Sequence, residues 1–480
     1  MAEKATASAQ QLGIQHLTLK IPWSDPPFPP NPSKNASFEG ICRDARRNRL
    51  AHAMAMTGAS TIAFAHHADD QVETSIMRMS SGSSQLGASG MRPIRTWGMG
   101  ARQDNQLTWM GEKGMSKFVV RPLLEVSKDR ILATCKANGW EYVTDPTNDQ
   151  PDLTPRNYVR AMLKDTIPHH DESSAIIPLD NAILSLRALS PYLTGASQLR
   201  DALRVIGERV QTVDTKVTNI LEQYILPSPP TTLLLPSDAF RNVQDPYTRV
   251  ALIRRILRYV SPQPWGHISA EANGVHRSLD MISNTLHTSH SEPSPASFTM
   301  GAKVWWRPVY LRSSKNKGKG KNKNKGELGT VGFGLGSTAG SNDRLTWLAQ
   351  REKSWTKKLA RPGAVDTLTE DVTEKLRDAL ERKEPCEVLY DCRVVVEFDM
   401  GACPTALGNA LADGSVTVHI VPATPYLLPQ VIGRRADQPD KVLASFPWPD
   451  KQLQRMWETK YLVISSSWIR MSTARTWDPW

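Results

Sequence analysis

The stretch "FAHHADDQVETSIMRMSSG", residues 64–82, decides the fold. It gathers His66, His67, Asp69, Asp70 and Glu73 between two segments of different periodicity. Before it, "STIAFA" (60–65) is an apolar run of strand length. After it, Val72, Ile76 and Met79 recur at helical spacing and Gly82 marks a stop. Upstream, "EGICRDARRNRLAHAMAMT" (39–57) carries Ile41, Cys42, Ala45, Leu50, Ala53 and Met54 at helical spacing ahead of Gly58. Helix, buried strand, helix predicts an α/β domain with a parallel sheet. The imidazoles and carboxylates then lie at the carboxyl end of a strand, where open α/β sheets gather ligands.

Working outward, "RPLLEVSKDRILATCKANGWEYVTDPTN" reads as a loop, a helix from Ser127 to Asn138 closed by Gly139, and a strand from Trp140. Thr154 and Pro155 open a further helix as N-cap and first helical residue. Residues 175–300 are helical in pattern, including "DPYTRVALIRRILRYV", opened by Asp245 and Pro246. Farther on, "DVTEKLRDALERK" is helical, and "CRVVVEFDM", "GSVTVHIVPATPYLLP" and "KYLVISSSWIRM" have strand length. The expected organisation is an incomplete, Rossmann-like domain over 1–170, a mainly helical region over 171–312, a Lys/Gly/Asn-rich linker over 313–342 and an α+β region over 343–480. Trp305 and Trp306 read as strand core, with stacking on nucleic-acid bases the alternative.

A net charge of +11 over 480 residues favours a polyanionic partner. Lys315, Lys317, Lys319, Lys321, Lys323 and Lys325 carry six of those charges in a Gly/Asn background that cannot build a core. They suit loose phosphate contact or a solvated linker, and both readings stand. The five scattered cysteines form no C-x-x-C pair, which argues for a reducing compartment and against a zinc ribbon. No apolar run of about 18 residues predicts a membrane span.

Asp70 and Glu73 stand three apart at a helix start, where a capping box would account for them, Asp accepting backbone N–H bonds while Glu reaches back. That leaves His66, His67 and Asp69 over, a surplus suited to catalysis. Carboxylates at this end of a sheet suit Mg²⁺ or an amine, with Asp70 the expected Mg²⁺ ligand, and imidazole can bind a carboxylate or move a proton. Zinc is less apt, because no third nitrogen or sulfur ligand stands nearby. Arg156 and Arg160, four apart on a helix with Asn157 between, can grip a phosphate or carboxylate or form a solvated basic edge.

Taken in order, "ARRNRL" (45–50), "HHADDQVETSIMRMSSGSSQLGASGM" (66–91), "RPLL" (121–124), "DPTND" (145–149) and "RNYVR" (156–160) resemble the tRNA(Ile)-lysidine synthetases of the N-type ATP pyrophosphatase superfamily. The resemblance covers residues 10–170. It implies an enzyme that uses ATP and Mg²⁺ to adenylate C2 of the wobble cytidine of tRNA(Ile), with a CAU anticodon, then joins the ε-amine of L-lysine there and releases AMP. It carries over His67, Asp70 and Glu73 as catalytic residues, and Arg46, Asp69, Arg156, Asn157 and Arg160 as substrate or nucleotide contacts. Asp145 and Asn148 look like loop-fixing residues. The family's Ser-Gly-Gly-x-Asp-Ser loop, whose backbone N–H groups cradle pyrophosphate, is not present in the 480 residues. The sequence is therefore expected to start after the family's first strand and helix and to be inactive as written. A non-catalytic tRNA-binding relative is the alternative, and a tRNA thiolase a weaker one, since those enzymes rely on cysteine pairs. An intracellular enzyme is expected, mitochondrial as the first reading and cytoplasmic otherwise.

Overall fold

The computed structural model describes residues 2–26, 28–32, 38–84, 87–100, 110–144, 148, 150–151, 154–164, 177–266, 276–288, 295–311, 344–353, 368–423, 426–446, 464–465 and 467–477. Lys315 to Lys325 and Asp145 lie outside these residues. The chain divides into two compact units, residues 1–215 and 216–479.

The first unit holds α1 (Ala2–Gln11), α2 (Phe38–Thr57), β1 (Thr61–Ala63), α3 (Ala68–Ser80), β2 (Ile94–Thr96), β3 (Phe118–Val120), α4 (Lys128–Ala137), α5 (Pro155–Leu163), α6 (Ile177–Arg187) and most of α7 (Gly195–Tyr224). Its sheet has the order β1-β3-β2. The β1–β3 pair is parallel, as the helix–strand–helix pattern predicts, whereas β2 joins β3 antiparallel. The "STIAFA" strand is not buried: β1 stands at the sheet edge with Thr61 and Ala63 exposed. No strand starts at Trp140; residues 140–144 have no regular structure, and Trp140, Tyr142 and Val143 are exposed. Apolar alternation marks a strand only where a neighbouring strand receives it.

Two cores fix the site. On one side of the sheet, Leu50, Ala51 and Met54 of α2 pack on Ile62, Trp97 and Val119. Elsewhere Val72 and Ile76 of α3 pack on Val159 and Met162 of α5, Ile183 and Leu186 of α6, and Leu199 and Leu203 of α7. Helix α5 starts where the sequence places it, with Thr154 Oγ1 accepting from the Asn157 N–H at 3.2 Å. Ser127 stands at the N-cap of α4, and Gly139 takes φ +62° just past its end.

The second unit contains β4 (Leu233–Pro236), α8 (Asp238–Arg241), α9 (Pro246–Val260), α10 (His276–Thr288), β5 (Phe298–Thr299), β6 (Val304–Leu311), β7 (Arg344–Arg351), β8 (Glu370–Asp371), α11 (Thr373–Arg382), β9 (Cys386–Tyr390), β10 (Val394–Phe398), α12 (Thr405–Ala412), β11 (Thr417–Ala423), β12 (Leu428–Arg434), β13 (Lys441–Ser445), β14 (Ile464–Ser465) and β15 (Ile469–Thr473). These strands make three four-stranded sheets, β4-β7-β6-β5, β13-β12-β11-β8 and β14-β15-β10-β9. Strands β6 and β7 pair antiparallel along their whole length, from Val304 opposite Arg351 to Leu311 opposite Arg344. Trp306 is core, as expected. Trp305 is half-buried, with the Arg307 guanidinium 4.7 Å and the Lys353 ammonium 5.9 Å from its ring centroid.

This unit also buries arginines. Arg393, fully buried, donates to Asp391 Oδ2 at 2.8 Å, Thr231 Oγ1 at 2.9 Å and Leu427 O at 2.9 Å. Arg475 donates to the carbonyls of Cys392 at 2.6 Å, Arg258 at 2.5 Å and Gln263. Such groups persist only because each donor finds an acceptor.

Candidate functional site

The site is built on the first turn of α3 and the face of α5 opposite it. His67 is the N-cap of α3: its Nδ1 accepts from the Asp70 N–H at 3.4 Å, while Asp70 Oδ2 accepts from the His67 N–H at 3.0 Å. The capping box is therefore His67 with Asp70, not Asp70 with Glu73. An imidazole takes the place of the usual serine or threonine, which spacing alone could not disclose. Glu73, one turn on, is released from capping and faces α5.

There Arg160 Nε donates to Glu73 Oε1 at 2.6 Å, Arg160 Nη2 lies 3.6 Å from Asp70 Oδ1, and Arg160 Nη1 donates to Asn148 Oδ1 at 2.9 Å. Arg156 Nε lies 3.5 Å from Glu73 Oε2, and its Nη2 donates to Thr74 Oγ1 at 3.3 Å. The spacing of the two arginines does put them on one face, and what they hold is this chain's own carboxylates. Burial pushes the Glu73 carboxyl above its ordinary value, and the Arg160 hydrogen bond and charge pull it back down.

Asp69 looks the other way: Oδ2 accepts from the Lys128 N–H at 2.8 Å, and Oδ1 lies 3.5 Å from Arg200 Nε of α7. Asn157 is buried and its side-chain amide donates to Gln150 O at 3.0 Å, so it fixes the loop before α5. Arg46 lines a groove of about 560 Å³ together with Leu17, Leu19, Ile21, Arg43 and Thr154. His66 lies tilted at 40° against Phe64, with centroids 5.6 Å apart, and among the described residues its buried Nδ1 has no hydrogen-bond partner. Burial lowers its pKa, Asp70 pulls it up, and Arg121, Arg156 and Arg46 push it down.

Several participants were not singled out by sequence reasoning. Thr74 adjoins Glu73 on the helix, and that adjacency could have found it. Arg200 lies far along the chain, with no local signal. Gln71 embraces the loop after α3: its Oε1 accepts from the Met91 N–H at 2.5 Å and its Nε2 donates to Met91 O at 2.9 Å. Arg78 donates to Gly87 O at 3.4 Å and to Gly90 O.

Among the described residues no group of His, Cys, Asp and Glu side chains is arranged to hold a metal ion. Asp69, Asp70 and Glu73 are opposed by Arg200, Arg160 and Arg156, so this arrangement does not fit Mg²⁺ on Asp70. Chemically the network can orient an amine or a carboxylate and hold a proton at His67 or Glu73. No helix among the described residues is long and apolar enough to cross a membrane.

Residues 2–167 match a family model described as the PP-loop domain. The tRNA(Ile)-lysidine synthase of Bradyrhizobium sp. (strain BTAi1) is 36% identical over 155 residues, which are 32% of this chain and 36% of that protein. The tRNA(Ile)-lysidine synthase of Methylobacterium nodulans is 31% identical over 168 residues, 35% of this chain and 41% of that protein. That of Bacillus subtilis (strain 168) is 32% identical over 130 residues, 27% of this chain and 24% of that protein. The matched part thus spans well under half the length of these curated relatives. They are bacterial proteins, which lends no support to the mitochondrial expectation. The matched residues make up most of the first unit, whose α/β fold is of the Rossmann-like kind that a PP-loop domain has.

Proposed function

We propose that the chain is an ATP-dependent tRNA-modifying ligase that attaches lysine to C2 of the wobble cytidine of tRNA(Ile), forming lysidine. The observation that carries the reading is the convergence of His67, Asp70, Glu73, Arg156 and Arg160, from two separated motifs, into one half-buried network beside the strand end. Similarity of this chain to the relatives named above, over 130 to 168 residues, supports it.

ATP, when bound, supplies the adenylyl group that activates C2. The chain's own residues do the rest. Glu73 and Asp70 offer carboxylate oxygens to the lysine amine, and Arg156 and Arg160 orient those carboxylates. His67 accepts from the Asp70 N–H at Nδ1, so its neutral ring carries its own proton on Nε2, 3.5 Å from Asp70 Oδ2, and orients that carboxylate; the proton that the ε-amine loses when its nitrogen bonds C2 and AMP leaves passes to a carboxylate oxygen of Asp70 or Glu73. No step is assigned to Mg²⁺ on these residues. Arg46 and the lysines from Lys315 to Lys325 are proposed contacts for tRNA phosphates.

The test is to incubate the purified chain with ATP, lysine and tRNA(Ile) transcript, follow AMP release, and digest the tRNA for mass spectrometry of the wobble nucleoside. Lysine-dependent AMP with a lysidine mass supports the ligase. A second reading, a tRNA-binding relative without catalysis, is favoured by the lack of a Ser-Gly-Gly-x-Asp-Ser sequence in the 480 residues. It predicts tRNA binding with neither product.

A further inference from the structure

Trp305 and Trp306 are consecutive in β6, so one indole goes to each face of the sheet β4-β7-β6-β5. Trp306 serves the fold. It is 1% exposed, its ring stacks on Phe298 with centroids 6.2 Å apart, and its Nε1–H donates to Met300 O at 3.2 Å. Trp305 lies on the other face, opposite Gln350 of β7 on one side and Thr299 of β5 on the other. It is half-buried, and what it meets is positive charge: the Arg307 guanidinium carbon is 4.7 Å and Lys353 Nζ 5.9 Å from its ring centroid.

Directly opposed and alternate strand residues share a face, so Thr299, Trp305, Arg307 and Gln350 form one patch, with Lys353 just past the end of β7. Thr299 is exposed, and the patch opens to water at the β5 edge. Among the described residues neither Arg307 nor Lys353 makes an ion pair with a carboxylate. Gln350 is 1% exposed, and its Oε1 is buried without a hydrogen-bond donor. An indole attracts a cation, but two cations at one ring repel each other, and a buried acceptor without a donor is unfavourable. A ligand that carries an anion, a flat π-face and an N–H donor answers all three features. An unpaired nucleotide is such a ligand, whereas in a duplex the base faces are stacked and the N–H donors are used in pairing.

We propose that Trp305, Arg307, Gln350 and Lys353 form a subsite for one unpaired nucleotide of the RNA substrate, with the base stacked on the Trp305 indole, the phosphate taken by Arg307 and Lys353, and a base N–H donated to Gln350 Oε1. Arg307 stands diagonally across the strands from Gln350, so its guanidinium turning to the phosphate opens the way to both the ring and Oε1. The subsite rests on RNA being the partner, as proposed above. It does not rest on the chemistry of the α3–α5 network, since all four residues belong to the second unit.

The experiment measures fluorescence anisotropy of a labelled single-stranded RNA of about 10 nucleotides, and of the same sequence in a duplex, against the full chain over a range of salt, without ATP or lysine. Trp305→Ala is expected to weaken single-strand binding at least about fivefold and to leave duplex binding unchanged, while Trp305→Phe keeps most of the affinity. Arg307→Gln is expected to shallow the salt dependence by about 0.7 log units per tenfold change in salt. Gln350→Leu separates a ligand contact from packing: it removes an unpartnered buried acceptor, so the melting temperature is expected to hold or rise while single-strand affinity falls at least about threefold. Thermal melting checks each fold, and if Trp305→Ala does not melt cooperatively, Arg307→Gln and Gln350→Leu carry the comparison. Absence of RNA binding in wild type, wild-type single-strand affinity in folded Trp305→Ala, or an equal loss for the duplex overturns the subsite. The ligase reading fails separately: a wild-type chain that forms no lysidine leaves the Trp305 dependence standing, and unchanged binding by Trp305→Ala leaves lysidine formation standing.

Discussion

Arg160 Nε donates to Glu73 Oε1 across 2.6 Å, joining the second turn of α3 to α5 through side chains 87 residues apart. The Glu73 side chain is 6% exposed and that of Arg160 26%, so the acid is buried while its partner touches water.

Removing one member takes from the other its shortest contact, leaving Arg160 with Asp70 and Asn148 or Glu73 with Arg156. Glu73→Ala is expected to destabilise the first unit by about 2–3 kcal/mol, below the roughly 3–5 kcal/mol of a fully buried pair because Arg160 recovers some hydration. Urea denaturation of Glu73→Ala, Arg160→Ala and the double variant measures it. The double variant is expected to lose less than the two single losses added together, and strict additivity would show that the pair is not coupled.

His66 sets a pH dependence. Burial, with Arg121, Arg156 and Arg46 against Asp70, holds its pKa below the ordinary 6.5, so the folded state binds its proton less readily than the unfolded chain. Stability therefore rises as pH climbs from the lowered value to 6.5, levels off above, and is lost as pH falls through that window. Denaturation midpoints between about pH 5 and pH 8 are expected to show the slope in wild type and a flatter line in His66→Gln. Equal slopes in the two proteins would place the titration elsewhere.

Gly90 has φ +84°, and a β-carbon there would come within 2.5 Å of Gln71 Oε1, the atom that accepts from Met91. Gly90→Ala combines backbone strain with loss of that clamp and is expected to cost about 1–3 kcal/mol. Hydrogen exchange at Met91 reads it directly, because its amide hydrogen then loses its acceptor. Unaltered protection at Met91 would remove the clamp from the account.

Arg475 satisfies three carbonyls from separated parts of the second unit. Arg475→Met keeps much of the volume and removes every donor, leaving buried acceptors that each cost about 1–3 kcal/mol. A fall in the melting temperature of the second unit by several degrees is the expected outcome. Retention of wild-type melting would mean that water replaces the guanidinium.

Much of the first unit was legible in the sequence because its signals are local. Helical spacing gave α2, α3 and α5, and Thr154 with Pro155 announced the start of α5 before any contact was known. The strand at Trp140 failed for the opposite reason, since a strand needs a partner and alternation says nothing of one. At the site, the motif residues His67, Asp70, Glu73, Arg156 and Arg160 meet as a set, while the identity of the N-cap, the inward turn of Asn157 and the reach of Arg200 depend on three-dimensional neighbours.

The pairing of Leu311 with Arg344 has a consequence for how this chain can change. Eight directly opposed residue pairs zip β6 to β7, so the ladder itself, from Val304 with Arg351 to Leu311 with Arg344, fixes how the two strands lie. Cutting the backbone between Leu311 and Arg344 would therefore leave a paired sheet whose two halves recognise each other by register, the arrangement a split protein needs to reassemble.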